Sequence, residues 1–149
     1  DQGVSALYAN ERTSDERREL AEKIMTAVGH SVWLDSESKM DAVTAVSGTG
    51  PAYFYLLIDI MIESAKKYGI DEVTARTLAV ETARGATALA AAETESMALL
   101  IDRVRSPGGT TTAAFEYLDH KDARGIFATA IDAAEKRAAE LAREASNES

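Results

Sequence analysis

The sequence has no cysteine, and its 149 residues include only two histidines and two prolines. Without thiols there can be no disulfide, no thiolate metal ligand and no thiol nucleophile. His30 and His120 stand far apart along the chain, so a histidine-rich metal site is not expected. Basic residues are also scarce, 16 against 25 acids, which leaves a net charge of −9. A protein that grips nucleic-acid phosphates needs a basic face, so nucleic acid is not the expected partner. No uncharged run reaches the roughly 18 apolar residues of a membrane span, and no signal peptide is visible, so a cytoplasmic location without membrane attachment is expected. What remains, 46% hydrophobic and 28% charged residues, is the composition of one globular domain with material for a substantial core. The chain opens Asp1-Gln2-Gly3-Val4 without a methionine, which suits a fragment, a processed chain or a trimmed one.

Residues 4–35 read as strand, helix, strand. Val4–Tyr8 is a short strand, and Thr13-Ser14-Asp15-Glu16 is a capping box in which Thr13 and Glu16 satisfy each other's free backbone donors. Leu20, Ala21, Ile24, Met25 and Val28 follow on one helical face, Gly29 ends the helix, and Ser31–Leu34 forms a second strand. Such a unit is too small to bury itself, so an N-terminal partner is expected. From about residue 37 the pattern is helical. Lys39–Val46 is a short helix, and Pro51 then suits the first turn of a helix reaching Tyr68. That helix is apolar on nearly every side, interrupted by Asp59 and Glu63, which predicts a subunit interface as well as a core.

Gly69 terminates it and Asp71 caps the next helix, which runs to about Glu93. There Ala75, Ala79, Ala83, Ala86 and Ala90 recur at spacings of three and four, either for close helix approach or for alanine's helix propensity alone. Met97–Val104, Thr111–Leu118 and Lys121 to about Ala145 are further helices. The last is expected to turn Ile126, Phe127, Ala130, Ile131, Ala134, Ala138 and Leu141 inward and to fray at Ser146–Ser149.

Both prolines and four of the nine glycines fall in two clusters, Ser47-Gly48-Thr49-Gly50-Pro51 and Ser106-Pro107-Gly108-Gly109-Thr110-Thr111. Each precedes a helix. A glycine-rich loop at a helix N-terminus offers unpaired N–H groups at the positive end of the helix dipole, a setting that binds carboxylate or phosphate. The plain alternative is a tight helix connection, which is less natural for the second cluster because a turn has no need of three consecutive threonines. Gly48-x-Gly50 is not a dinucleotide fingerprint: it lacks the third glycine and a leading strand. Asp59 with Glu63 reads as a buried polar seam or interface contact ahead of a catalytic pair; Glu93 with Glu95 is a second carboxylate pair. His120 belongs to a surface turn, His30 to a strand edge, and Tyr53 and Tyr55 to core or interface.

The run from Met40 through Ser47-Gly48-Thr49-Gly50-Pro51-Ala52-Tyr53-Phe54, followed by Val104-Arg105-Ser106-Pro107-Gly108-Gly109-Thr110-Thr111, resembles pyrroline-5-carboxylate reductase. Ala6-Leu7-Tyr8-Ala9-Asn10 and Val32-Trp33 resemble the same family's sequence just before its helical domain. The resemblance covers essentially the whole chain. It implies a mainly α fold: an all-helical dimerisation domain like the C-terminal domain of 6-phosphogluconate dehydrogenase, at 37–149, preceded at 1–36 by a short β-α-β remnant of a Rossmann dinucleotide-binding domain. It further implies an oxidoreductase of proline biosynthesis in which NADPH, or NADH, gives a hydride to the imine carbon of 1-pyrroline-5-carboxylate. The partners implied are a second copy of the chain, in a homodimer or higher oligomer, and a small-molecule substrate.

Residue by residue, the resemblance makes Ser106, Pro107, Gly108, Gly109, Thr110 and Thr111 the substrate-carboxylate loop, with the catalytic Thr111 hydroxyl reaching the ring nitrogen. It sets Ser47, Gly48 and Gly50 near the nicotinamide, while the phosphate-binding glycine loop has no counterpart here, so the chain alone is expected to be inactive. Thr112 is expected to point elsewhere. Arg103 and Arg105 stand where the family more often has neutral residues, and Ser96-Met97 replaces a usual His-Pro. Two other readings remain: a non-catalytic helical dimerisation module, and a related reductase for another cyclic imino acid.

Overall fold

The computed structural model describes residues 3–147. Contacts divide the chain into two units, one formed by the chain up to Pro51 together with the stretch from Thr129 onward, the other by Ala52–Ala128.

The first unit begins with β1 (Gly3–Leu7), α1 (Asp15–Thr26) and β2 (Gly29–Trp33). The strands pair in parallel, from Gly3 with Gly29 to Leu7 with Trp33. Parallel neighbours cannot be joined by a hairpin, and α1 is the crossover between them. The cap of α1 differs from the expected box. Ser14 is the N-cap and accepts from the Arg17 N–H at 3.4 Å, whereas the Thr13 hydroxyl donates to Asn10 Oδ1 at 3.0 Å. Asn10 Oδ1 also accepts the Arg12 N–H at 3.1 Å, so the asparagine organises the turn and moves the helix start one residue on. Gly29 does not end the helix, which stops at Thr26. It opens β2, where a Cβ would collide with the Gly3 carbonyl, so the glycine serves the approach of two strands.

From Glu37 to Lys67 the chain is almost continuously helical: a 3-10 turn at Glu37–Lys39, α2 (Met40–Val43), a π turn at Thr44–Gly48 and α3 (Gly50–Lys67). By length and apolar composition Glu37–Lys67 would pass for a membrane span, although its uncharged stretch is limited by Asp41 and Asp59. At the end of α3, Gly69 (φ 84°) and the N–H groups of Gly69 and Ile70, bonded to the carbonyls of Lys66 and Ala65, form a Schellman stop. Asp71 caps α4 (Glu72–Ala92) by accepting the Thr74 N–H at 3.0 Å, and Ser96 caps α5 (Met97–Val104) by accepting that of Leu99 at 3.3 Å. Then come α6 (Thr110–His120) and α7 (Ala123–Asn147). Ser146 and Asn147 do not fray. They extend α7, and the Ser146 hydroxyl donates to the Ala142 carbonyl at 2.9 Å; the rest of that expectation lies outside the described residues.

The substantial core expected from composition is not formed by this chain alone. Among the described residues, only Ala45, Ala75 and Ala79 are buried hydrophobics, and no large side chain is fully enclosed. Burial of Ala75 and Ala79 favours close approach for the first half of the alanine stripe, while Ala86 is exposed. On α3, Phe54, Tyr55, Leu56 and Ile60 are each more than half exposed. The face expected to turn inward on α7 is only partly covered: Phe127, Ile131, Ala134 and Ala138 are half-buried, whereas Ile126, Ala130 and Leu141 are exposed. Leu20, Ile24 and Val28 around α1 are likewise exposed, because a two-stranded sheet is too narrow to cover them. Tyr53 and Phe127 meet edge to face at 6.3 Å, an aromatic contact within the helical unit.

Candidate functional site

The loop between α5 and α6 is an open turn at a helix start, as its sequence predicts. The Gly109 N–H donates to the Ser106 carbonyl at 2.9 Å across Pro107 and Gly108, and Gly108 has φ 67°. Proline second and a positive-φ glycine third are what a type II turn requires. A Cβ on Gly109 would strike the Ser106 hydroxyl, so that glycine lets the hydroxyl lie against the backbone. Gly109 is also the N-cap of α6 and, having no side chain, leaves the end uncapped. The first helical bond runs from the Ala113 N–H to the Gly109 carbonyl at 3.2 Å, so the N–H groups of Thr110, Thr111 and Thr112 have no partner within the helix. The first turn carries no acid, and the dipole end favours an anion. Ser106, Pro107, Gly108 and Thr110 are exposed, while Gly109, Thr111 and Thr112 are half-buried. The arrangement offers amides and hydroxyls to a small anion.

Thr112 is not merely directed elsewhere, as the sequence reading has it. Its hydroxyl turns back into the loop and donates to the Ser106 carbonyl at 2.7 Å. No residue motif announces this bond; it depends on the helix rotating the third threonine over the turn.

The first cluster has a different geometry. Ser47 and Gly48 lie inside the π turn, and the Thr49 N–H donates to the Thr44 carbonyl at 2.8 Å, joined there by the Thr49 hydroxyl at 3.1 Å. The helical path through residues 40–50 is therefore hydrogen-bonded onward where the sequence suggests an open loop, and Ser47–Pro51 is no row of free donors. Gly50 is buried yet has nothing within 4 Å of where a Cβ would stand, and Gly48 meets only the Thr44 methyl at 3.7 Å.

The two arginines just before the second cluster are both engaged. Arg103 Nη2 lies 2.6 Å from Glu95 Oε2, which is shielded from solvent, and Nη1 lies 3.6 Å from Glu93 Oε1. Glu93 and Glu95 are thus tied to α5 by a guanidinium. Arg105 lies over the Phe115 ring at 5.1 Å and reaches Asp119 at 4.0 Å. Asp59 and Glu63 form no buried seam in this chain: both are exposed, and Glu63 pairs with Lys66 at 2.8 Å. That hydrogen bond, with Glu72 beyond it, holds the Lys66 ammonium above its ordinary pKa. His30 is exposed on β2, and His120 is the last residue of α6, ahead of the turn at Lys121–Asp122.

The profile of the family described as pyrroline-5-carboxylate reductase dimerisation matches residues 37–141. Pyrroline-5-carboxylate reductase of Pseudomonas aeruginosa is 43% identical over 143 residues, covering 96% of this chain and 52% of the relative. That of Haemophilus influenzae is 36% identical over 141 residues, covering 94% and 52%. Among solved structures, a pyrroline-5-carboxylate reductase from Coxiella burnetii superposes with a TM-score of 0.88 at 38% identity, over 94% of this chain and 52% of that one. The pyrroline carboxylate reductase of Plasmodium falciparum, solved with NADP bound, gives 0.85 at 26% identity over 92% and 52%. The chain thus spans about half the length of the relatives it matches.

Proposed function

Because this chain belongs to the pyrroline-5-carboxylate reductase family, we propose that it is the substrate-binding and dimerisation part of an enzyme reducing 1-pyrroline-5-carboxylate to L-proline with NADPH. The observation that carries the reading is the uncapped start of α6, where Ser106–Thr111 gathers free amides and hydroxyls with no acid in the first turn. A substrate with one carboxylate and one imine nitrogen matches that donor set. Turn amides and the Ser106 hydroxyl hold the carboxylate, and the Thr111 hydroxyl hydrogen-bonds the ring nitrogen. Fixing both ends of a small ring presents one face of its imine carbon, so orientation is what these residues contribute.

The dinucleotide fits this chain at one end only. The turn between β1 and α1, 8–14, contains no glycine, and Asn10 spends its side-chain oxygen on Arg12 and Thr13, so no diphosphate cradle exists there. The small residues Ser47 and Gly48, the first half-buried and the second exposed, put no bulky side chain in the way of the flat nicotinamide. NADPH supplies the hydride, with the rest of the cofactor held by residues outside this chain. The imine nitrogen takes up one proton as the carbon is reduced, and Thr111 holds that nitrogen in place.

The exposed apolar side chains of α3 support a homodimer. Phe54, Leu57 and Met61 face a groove of about 230 Å³ whose other wall is α4, space that a second copy's helix would fill. Such a surface left open to water is rare on a monomer.

The test uses the longer polypeptide that joins this chain to a dinucleotide-binding half. NADPH oxidation dependent on pyrroline-5-carboxylate, with proline as product, is expected. Thr111→Ala should lower kcat/KM for the imine by roughly ten- to a hundredfold, the cost of leaving the bound ring nitrogen without its hydrogen-bond partner. A dimer that binds substrate without turnover would replace this reading with a non-catalytic module, and preference for another cyclic imine would change the substrate.

A further inference from the structure

We propose that Thr112 is a positioning residue for the substrate-carboxylate loop, acting through the Ser106 carbonyl; this rests on the reading of Ser106–Thr111 given above. The Ser106 carbonyl oxygen accepts two hydrogen bonds, from the Gly109 N–H at 2.9 Å and from the Thr112 hydroxyl at 2.7 Å. The first closes the turn. The second comes from the body of α6 and ties the turn to the helix that follows it.

Two consequences follow from elementary electrostatics and chain flexibility. A carbonyl is the negative end of a peptide dipole, and rotated toward a bound carboxylate it would repel it. With two donors on it, the Ser106 carbonyl stays turned toward the helix; the ring of Pro107 locks the backbone on the far side of that peptide, and the Thr112 hydroxyl fixes the Ser106 side. The loop also contains two adjacent glycines, which sample many conformations when unrestrained. Two bonds on one oxygen hold Ser106 in a single setting, with its hydroxyl packed against Gly109. Thr112 thereby pre-orients donors without touching substrate, so removing its hydroxyl should weaken carboxylate binding and leave the hydride step alone.

The experiment compares Thr112→Val, which replaces the hydroxyl with a methyl group of similar shape, with Thr112→Ser, which restores it, in the full-length reductase. Thr112→Val should raise KM for pyrroline-5-carboxylate about five- to tenfold, the scale of one net hydrogen bond. Its kcat should stay within about twofold, and KM for NADPH should not move. Thr112→Ser should return KM to near the parent value. Thr112→Ala serves in the same comparison should the valine variant fail to assemble. An unchanged KM in Thr112→Val, a serine variant as impaired as the valine one, or a matching rise in KM for NADPH would overturn the proposal. Thr111→Ala, assayed alongside, separates the two levels. If it is impaired and Thr112→Val is not, the loop reading stands and the positioning role falls; if Thr111→Ala is fully active, the loop reading itself falls and takes the positioning role with it.

Discussion

Ser47–Pro51 and Ser106–Thr111 each set two glycines, a proline and hydroxyl side chains ahead of a helix, yet their backbones are used differently. At the first, the Thr49 N–H and hydroxyl both turn back to the Thr44 carbonyl, and a π turn carries the helix through to α3. At the second, Pro107 and the positive φ of Gly108 break the chain sharply, and α6 starts with no side-chain cap. The order of the residues accounts for the contrast. Pro51 follows its glycines and occupies the first turn of α3, where a missing N–H costs nothing, whereas Pro107 precedes its glycines and fixes the second position of a turn. Of the four glycines only Gly109 meets a neighbour closely, so the small residues are alike in kind but not in use, and the position of the proline decides whether helix or loop results.

The largest effect is expected on the helix that the first cluster feeds. Met61→Asp puts a charge on the apolar face of α3 that a second copy would cover, and an unpaired buried charge costs about 3–5 kcal/mol. Sedimentation should show association weakened at least a hundredfold; an intact dimer at micromolar concentration would mean that this face is not the interface. Next in size, Gly109→Ala forces a Cβ against the Ser106 hydroxyl, so kcat/KM for the imine should fall by roughly a hundredfold, with dimerisation kept.

Gly50→Ala is the counterpart at the first cluster. Beyond its chain neighbours and its own helix nothing lies within 4 Å of the new methyl, but Gly50 is helical and precedes Pro51, whose Cδ crowds a Cβ there, so thermal unfolding should show a lower melting temperature and no gain. A rise in KM for NADPH alone in the same variant would place the nicotinamide over this residue, and an unchanged KM would remove Gly50 from the cofactor site. The smallest effect concerns α4, whose start is capped where that of α6 is open. The hydrogen bond from Thr74 holds the Asp71 carboxyl below its ordinary pKa. A carboxyl with a lowered folded-state pKa contributes stability above its unfolded value, and that contribution disappears as pH falls through the folded one. Asp71→Asn, which still caps but does not titrate, should flatten the loss of stability below about pH 4, with a melting temperature a few degrees lower at most near neutrality. An acid profile identical to the parent would show that the cap carries no linked proton.

Sequence legibility followed interaction range. The end of α3 and the start of α4 were readable because Gly69 and Asp71 act within a few residues of themselves. The start of α6, expected at Thr111 and found at Thr110, was readable to within one residue for the same reason. The start of α1 was misplaced by one residue, since Asn10 takes the Thr13 hydroxyl that would have capped it. The π turn was not legible, because an i to i+5 bond leaves no periodic mark in so short a stretch.

By itself the sequence determined a short β-α-β unit followed by helices, the family, and the loop of free donors at 106–111, all of which rest on local chemistry or on long matched motifs. Three things were decided only in three dimensions. Gly29 serves strand approach and not helix termination, Thr112 bonds back to the loop it follows, and among the described residues of a chain rich in apolar side chains the buried hydrophobics are three alanines. Each depends on what a residue meets across space. Composition fixes how much apolar surface exists, but only packing decides whether the same chain covers it.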